Sequence, residues 1–496
     1  MDYRIQQQKP RKWPWILLIF FLIVCGTGWY AYTWLKNLTP EKILQSDFVI
    51  KQVQKQLGED KAELFELLPD LLGFTEPKTY LILFLNNTEL RPGGGFIGSY
   101  ATITMDKGSS HILVVEGSER LDARAPESFN PAPVPVLASH LKVNKWYFRD
   151  SNWSPDFVAS SQKGLELYAG EGGVATENID AVVGITTTVL EELLRITGPI
   201  TVQGFTFTAD NVVEELQYEV EYGFKDRDVS FENRKQIIEP FMRALMDHVT
   251  DSLFKNADAY AQLFDTLVSE KHVFIYAKDE VLQQKMDEHD WSGRMHETSG
   301  DYLMWVDANL AALKTDLAID RHLSYTVSLR PPAHESEKFY YLASAKMTYT
   351  HSGSFDWRTT RYRTYARVYV PLGSQLVSTI GAMKWDRTAG EGPVDQGIEN
   401  GRQWFGAFVA IEPGQVGEIQ FIYKLPESVE RMIDTGMYTF FVQKQLGTIG
   451  HDLTLDLDFG KTIKAAKPGE VEEKWNDSKY ELSTDLRVDR EFSVNF

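Results

Sequence analysis

The sequence predicts an α/β domain, built as a mixed sheet with flanking helices, followed by an all-β sandwich, the two held outside a membrane by one N-terminal transmembrane helix. Three observations predict this. A run without charge from Trp13 to Leu35 follows a basic tail. Short apolar runs alternate with helical periodicity between Tyr80 and Tyr276, and beyond about Asp320 the periodicity becomes strand-like.

The 496 residues divide into a cytoplasmic tail (1–12), a transmembrane helix (13–35), a helical stalk (39–76), the α/β domain (77–319) and the β-sandwich (320–496). Arg4, Lys9, Arg11 and Lys12 mark the cytoplasmic side, and Trp13, Trp15, Trp29, Tyr30, Tyr32 and Trp34 suit the two interfaces. The apolar run is long for a cleaved signal peptide and no Ala-x-Ala site follows it, so the expectation is a single-pass cell-membrane protein whose bulk is extracytoplasmic. Thr39-Pro40-Glu41 opens the stalk, with Thr39 as N-cap and Pro40 at the first helical position.

Composition narrows the function. The one cysteine, Cys25, falls within the anchor, so the exterior carries no disulfide and no thiolate metal site, which fits a bacterial surface protein. A net charge of -19 argues against a generally basic, nucleic-acid-binding surface but leaves room for a local basic pocket that takes an anionic lipid headgroup. The chain has no EF-hand-type calcium loop, Gly-x-Ser-x-Gly elbow, His-Glu-x-x-His pair or Walker loop.

In the α/β domain, Tyr80 to Leu85, Tyr100 to Met105 and His111 to Val115 read as strands, and prolines 126, 131, 133 and 135 mark a long loop. Ala181 to Ile185 is a buried strand. Thr188 with Glu191 forms a capping box for a helix stopping at Gly198-Pro199, and Ile200 to Val202 completes a strand-helix-strand unit. An amphipathic helix follows from about Asn233, further helices run to Lys271, His272 to Tyr276 is a strand, and a helix is expected to start near Tyr302. The sandwich strands are Tyr325 to Leu329, Phe339 to Thr350, Tyr365 to Val370, Gly417 to Tyr423 and Met437 to Gln443. Asp452, Asp456 and Asp458 alternate with leucines, the pattern of a solvated face opposite a buried one, or of carboxylates gathered for a metal.

The most informative stretch joins the first two strands: Asn86-Asn87-Thr88-Glu89-Leu90-Arg91-Pro92-Gly93-Gly94-Gly95-Phe96-Ile97-Gly98-Ser99. Gly93, Gly94 and Gly95 let backbone N–H groups line an anion-accepting concavity, with Arg91 supplying charge. The other reading is a tight turn in which Arg91 pairs with Glu89. Arg149-Asp150 reads either as a headgroup-binding or catalytic pair or as a structural ion pair. Asn152 and Asp156 flank Trp153, a sugar platform or a packed ring. Lys314 reaches a cleft or lies on a solvated face, and His289 and His296 lack a third metal ligand.

The 86–99 stretch, Arg149-Asp150-Ser151-Asn152-Trp153-Ser154-Pro155-Asp156-Phe157, Ile179-Asp180-Ala181-Val182-Val183 with Thr197-Gly198-Pro199, and Asp301-Tyr302 to Lys314 together resemble the bacterial, membrane-anchored domain of unknown function 4012 family, from about Leu81 to near Gly447. That family brings no established activity. Asp180 leading its strand, then Leu216-Gln217-Tyr218, Asp228 and Asn233-Arg234-Lys235-Gln236, is similar to the LytR-CpsA-Psr phosphotransferases. The similarity implies an α/β fold of that type, a polyprenyl-phosphate lipid and a cell-wall glycopolymer as partners, arginines on the phosphates and a divalent metal such as Mg²⁺. Arg234, and Arg120 in Glu119-Arg120-Leu121-Asp122, stand where that family places arginines. Lys235 replaces a second arginine, and Glu219-Val220-Glu221 replaces an Arg-x-Arg pair, which no carboxylate can imitate on a phosphate.

The expected function is therefore binding or transfer of a polyprenyl-phosphate-linked glycopolymer. Arg91, Arg149 and Arg234 would hold phosphate with Glu89, Gly93, Gly94, Gly95 and Asn152 shaping the site, and Asp150 or Asp156 would hold Mg²⁺ or act as base. The alternative is a noncatalytic surface protein for adhesion or envelope assembly.

Overall fold

Lys78–Asn86 (β1), Phe96–Asp106 (β2), Ser109–Gly117 (β3), Ile179–Thr186 (β4) and, later in the chain, Val273–Ala277 form one mixed sheet, in which β1 lies between β2 and β4 and Val273–Ala277 pairs with the far edge of β4. β1 and β4 are parallel and the other pairs antiparallel. The structure is a computed structural model that describes residues 69–253, 255–332, 338–470 and 477–496. The expected tail, transmembrane helix and nearly all of the stalk lie outside these residues. Among the described residues no helix is long and apolar enough to cross a membrane.

Both faces of the sheet are covered, which is why β1 and β4 read as continuous apolar runs rather than alternating ones. Tyr80, Ile82 and Val183 pack on one side against helices Thr188–Thr197, Ile238–Leu253 and Ala257–Ser269. Leu81, Leu83 and Leu85 pack on the other with Phe148, Phe157 and Tyr168. Each such fully buried side chain contributes about 1.5–3 kcal/mol of burial energy. The β1–β2 register shifts between Phe84 and Leu85, which face Ser99 and Ile97, so Gly98 of β2 is an unpaired bulge close to where the two strands part into the 86–95 loop.

Three local expectations are corrected. Ile200–Val202 (β5) pairs only with Phe205–Phe207 (β6) as a separate hairpin, so it does not close a strand-helix-strand unit in the main sheet. The helix of the proposed capping box has Thr187, not Thr188, at its N-cap position, and the Thr187 hydroxyl donates to Asn87 instead of capping. Its end at Gly198 is as expected, with φ +82°. The helix expected from Asn233 begins at Ile238, after a 3-10 turn over Phe231–Asn233.

The C-terminal part is mostly strands. A six-stranded sheet runs in the order Gln375–Ile380, Val416–Lys424, Tyr340–His351, Ile319–Arg330, Asp452–Asp458, Lys479–Asp485. A seven-stranded sheet runs Val394–Glu399, Arg402–Ile411, Tyr362–Pro371, Asp301–Asn309, Met437–Gln443, Arg490–Asn495, Ala465–Lys467. One hydrophobic core, including Trp305 and Phe405 from one sheet and Tyr325 and Phe421 from the other, joins them. The helix expected near Tyr302 is thus a central strand. All nine residues of Asp301–Asn309 are buried, with Leu303 and Trp305 in the shared core and Tyr302, Met304 and Val306 on the opposite side. A strand covered on both faces lacks the period of two that identifies strands in sequence. Leu453, Leu455 and Leu457 are buried, while Asp452, Asp456 and Asp458 face outward and Asp456 meets Lys479, so the aspartates form a solvated face.

Candidate functional site

A cavity of about 380 Å³ opens between the main sheet and its helices, within the size range of small-ligand sites. Phe84 of β1, Phe96 of β2 and Ile185 of β4 form its floor, and Leu216, Phe241 and Met242 from the helices form its roof. This is the helix-facing side of the sheet, and the cavity continues the core beside the β2 bulge at Gly98, which lines it. Its charged lining comprises Arg149, Arg234, Lys235 and Lys314 with the carboxylates of Glu119 and Glu221, and Asn86, Thr187 and Gln217 are among its uncharged polar groups. An apolar chamber edged by four cations suits an amphipathic ligand with an anionic head.

Each cation is held by an internal partner. Arg234 Nη2 lies 3.0 Å from Glu119 Oε1, and its guanidinium stacks 3.9 Å from the centre of the Phe231 ring. Arg234 Nε is buried without a hydrogen-bond partner. Lys235 Nζ donates to Glu119 Oε2 at 2.6 Å and to the Gly98 carbonyl at 2.5 Å. Burial works to raise the Glu119 carboxyl, but Lys235 and Arg234 outweigh it and hold the group below its ordinary range. Burial lowers the Lys235 ammonium below its ordinary value despite Glu119. Lys314 lies 3.2 Å from Glu221 and 3.6 Å from Glu89. Arg149 Nη1 donates to Asp122 at 2.9 Å. Burial, reinforced by Glu171 and Asp150, pushes the Asp122 carboxyl up to about 8 against the pull of Arg149.

Arg149 and Arg234, predicted from sequence, meet at this cavity. Arg91 does not line it. Its side chain is 4% exposed, with Nε donating to Asp150 Oδ1 at 3.2 Å, Nη1 to the Asn309 carbonyl at 2.8 Å and Nη2 lying 3.5 Å from Glu89. The glycines form a closed turn rather than an open cradle: the Gly93 N–H donates to the Asn152 carbonyl and the Gly94 N–H to the Arg91 carbonyl. Asn152 Nδ2 in turn donates to the Gly95 carbonyl at 2.7 Å. Gly94 and Gly95 adopt φ of +110° and +146°, and a β-carbon at either would strike Phe274 or the Asn86 backbone.

The same turn joins the sheet to the strand-rich part. Gly93 bridges to Leu446, Asn87 Nδ2 donates to the Gly447 carbonyl at 2.9 Å, and the Leu90 N–H donates to Asp316 at 3.0 Å. Glu89 sits between Arg91 and Lys314, with burial raising its carboxyl above the usual range.

Neither proposed metal-binding aspartate fits a divalent cation. Asp150 has Arg91 on one oxygen and Arg149 on the other, at 3.2 and 3.6 Å. Asp156 caps the helix Phe157–Gly170: its Oδ1 accepts the Ala159 N–H at 2.9 Å and its Oδ2 the Met295 N–H at 3.0 Å. Neither lines the cavity. Asp290, His296 and Asp489 do bring three ligand atoms within 4.8 Å of one another, supplying the third group that the sequence did not reveal for His296. Lys271 already places its ammonium against both aspartates, 3.3 Å from Asp489, so a cation is built into that cluster.

The residues that sequence reasoning missed are Glu119 and Lys235 as a pair. Glu119 lies far from Arg234 in sequence, and Lys235 reads as a defect in an arginine motif. Glu219 is buried against Arg227, whereas Glu221 reaches the cavity and Lys314.

These features define an α/β protein with an apolar cavity edged by cations and a strand-rich C-terminal part. Residues 75–220 match the sequence model of a family described as protein of unknown function (DUF4012), which supports that kinship over this segment. No curated protein matches the chain. Among solved structures it is similar to an M1 zinc metallopeptidase from Deinococcus radiodurans, at 10% identity and TM-score 0.19 over 36% of this chain and 42% of that one. It is also similar to the transcriptional regulator yvhJ from Bacillus subtilis, at 15% identity and TM-score 0.21 over 42% of this chain and 76% of that one. The chain thus spans less than half the length of the metallopeptidase.

Proposed function

We propose that this is an extracytoplasmic, membrane-anchored cell-envelope protein that binds a polyprenyl-phosphate lipid, its tail in the cavity and its phosphate among Arg149, Arg234, Lys235 and Lys314. The observation that carries the reading is the composition of the cavity lining, mainly aromatic and aliphatic side chains together with four cations. The uncharged Trp13–Leu35 run and the similarity of the Asn233-Arg234-Lys235-Gln236 segment to the LytR-CpsA-Psr phosphotransferases support it. A glycopolymer joined to the lipid through a diphosphate, which keeps two negative charges, would lie outside the cavity, and its transfer is the reaction such binding would serve, with the cations offsetting developing negative charge. Phosphate binding is assigned to Arg149 and Arg234 rather than to Arg91. Mass spectrometry of lipid extracted from the purified full chain tests this: an isoprenoid phosphate is expected, and lipid-free protein opposes it.

One observation favours a second reading, noncatalytic glycan binding. Tyr218 and Tyr222 are 39% and 40% exposed and their rings meet Trp357, each at 5.5 Å. Exposed rings of this kind stack on sugars. Glycan binding lost on Tyr222→Ala but indifferent to Arg234→Ala would favour that reading.

A further inference from the structure

We infer that Glu119 is a built-in counter-anion, occupying the place that a ligand's headgroup takes, and that it sets a charge threshold admitting doubly charged phosphate monoesters while excluding singly charged phosphodiester lipids. The inference rests on the reading of the cavity as a phosphate-lipid site and concerns the same residues.

One carboxylate serves two cations here. Glu119 Oε1 faces Arg234 at 3.0 Å and Oε2 faces Lys235 at 2.6 Å, and all three side chains line the cavity. Arg234 Nε remains buried and unpartnered, so the pair has unspent hydrogen-bonding capacity beside the bound carboxylate. The carboxylate reaches this position by folding back over Gly117, where a β-carbon would collide with both of its oxygens. Gly117 itself has φ -70° and ψ 141°, a backbone conformation open to any residue. The glycine is therefore required by the carboxylate and not by the chain.

Displacement sets the threshold. A phosphodiester headgroup carries one negative charge, so exchanging it for Glu119 replaces one anion by another and still costs desolvation. A phosphate monoester carries nearly two charges at neutral pH and three strong acceptor oxygens, enough to satisfy Arg234, Lys235 and the idle Arg234 Nε together. Glu119, 28% exposed, can swing toward water when displaced. Its competition lowers the affinity for every anion by a common factor, and only the more highly charged headgroup retains measurable binding.

The test is native mass spectrometry of the delipidated full chain in detergent, titrated with farnesyl phosphate and, separately, with dioleoylphosphatidylglycerol. The native chain is expected to bind farnesyl phosphate and not the glycerol lipid. Glu119→Gln removes the competing charge, and Gly117→Ala displaces the carboxylate without neutralising it. Each should tighten farnesyl phosphate about tenfold, the worth of one charge-assisted contact, and make the glycerol lipid measurable. Native-chain binding of farnesyl phosphate that neither variant tightens overturns the role of Glu119, as does equal native binding of the two lipids. Failure of the native chain and both variants to bind farnesyl phosphate overturns the reading of the cavity itself.

Discussion

The Arg234 guanidinium lies 3.0 Å from the Glu119 carboxylate on the lining of a chamber that is otherwise mainly apolar. Charge is placed there at a cost, because cations beside a low-dielectric space forgo hydration. A stability role would be served as well by surface pairs, so the arrangement points to a ligand.

Filling the chamber separates its use from its upkeep. Leu216→Trp would project an indole into the cavity, between roof and floor. Because the space is already present, the substitution should cost less than the roughly 1–3 kcal/mol typical of overpacking a full core. Retained thermal stability with loss of bound lipid is the expected result, and lipid retained at native level would place the ligand elsewhere.

Arg91 is expected to matter to stability rather than to ligand capture. Arg91→Ala leaves Asp150 buried with only Arg149 at 3.6 Å and removes the bond to Asn309 that ties the turn to the strand-rich part. Breaking one side of such a buried pair costs about 3–5 kcal/mol. Denaturant unfolding reads this directly, and a variant of native stability that had lost its lipid would return Arg91 to the binding site.

Asp156→Ala should lower stability by about 1–2 kcal/mol, the usual loss of an N-cap, with the Met295 N–H left unpaired as well. Asp156→Asn keeps one acceptor and should recover part of the loss. Since neither oxygen reaches the cavity, bound lipid should be unchanged in both variants; its disappearance from folded protein would revive a chemical role for Asp156.

Stability should also depend on pH through Asp122. Its carboxyl is raised from 3.8 to about 8 by burial with Glu171 and Asp150 nearby, so over that interval the folded chain holds a proton that the unfolded chain has released. Folding stability from this group therefore falls as pH rises from about 4 to about 8, by at most ~1.4 kcal/mol per pH unit, and is constant above. Asp122→Asn should flatten the slope. An identical slope in the variant would assign it to other groups.

Much of the fold is legible in the sequence because strands buried on both faces, such as Lys78–Asn86 and Ile179–Thr186, stand out as short apolar runs between turn residues. The same double burial hid Asp301–Asn309, whose apolar stretch 302–306 is equally compatible with a buried helix. The glycine-rich turn is legible as a special backbone site, since its conformation does require glycine, but an anion cradle and a clasp share the same local sequence. That distinction depends on Asn152, Asn309, Asp316 and Gly447, all distant in the chain. Arg149 and Arg234 were accessible as cations within recognisable segments. Their convergence on Glu119, Asp122 and the empty interior behind Phe84 is tertiary and has no local signature.

The most direct test of the central claim compares the lipid content of three purified full-length proteins by quantitative mass spectrometry: the native chain, the Arg234→Ala/Lys235→Ala double variant, and Leu216→Trp. The account predicts near-stoichiometric isoprenoid phosphate in the native chain and at least a tenfold loss in both variants, for want of the cations in one and of space in the other. Equal isoprenoid phosphate in all three, or none in the native chain, would contradict it.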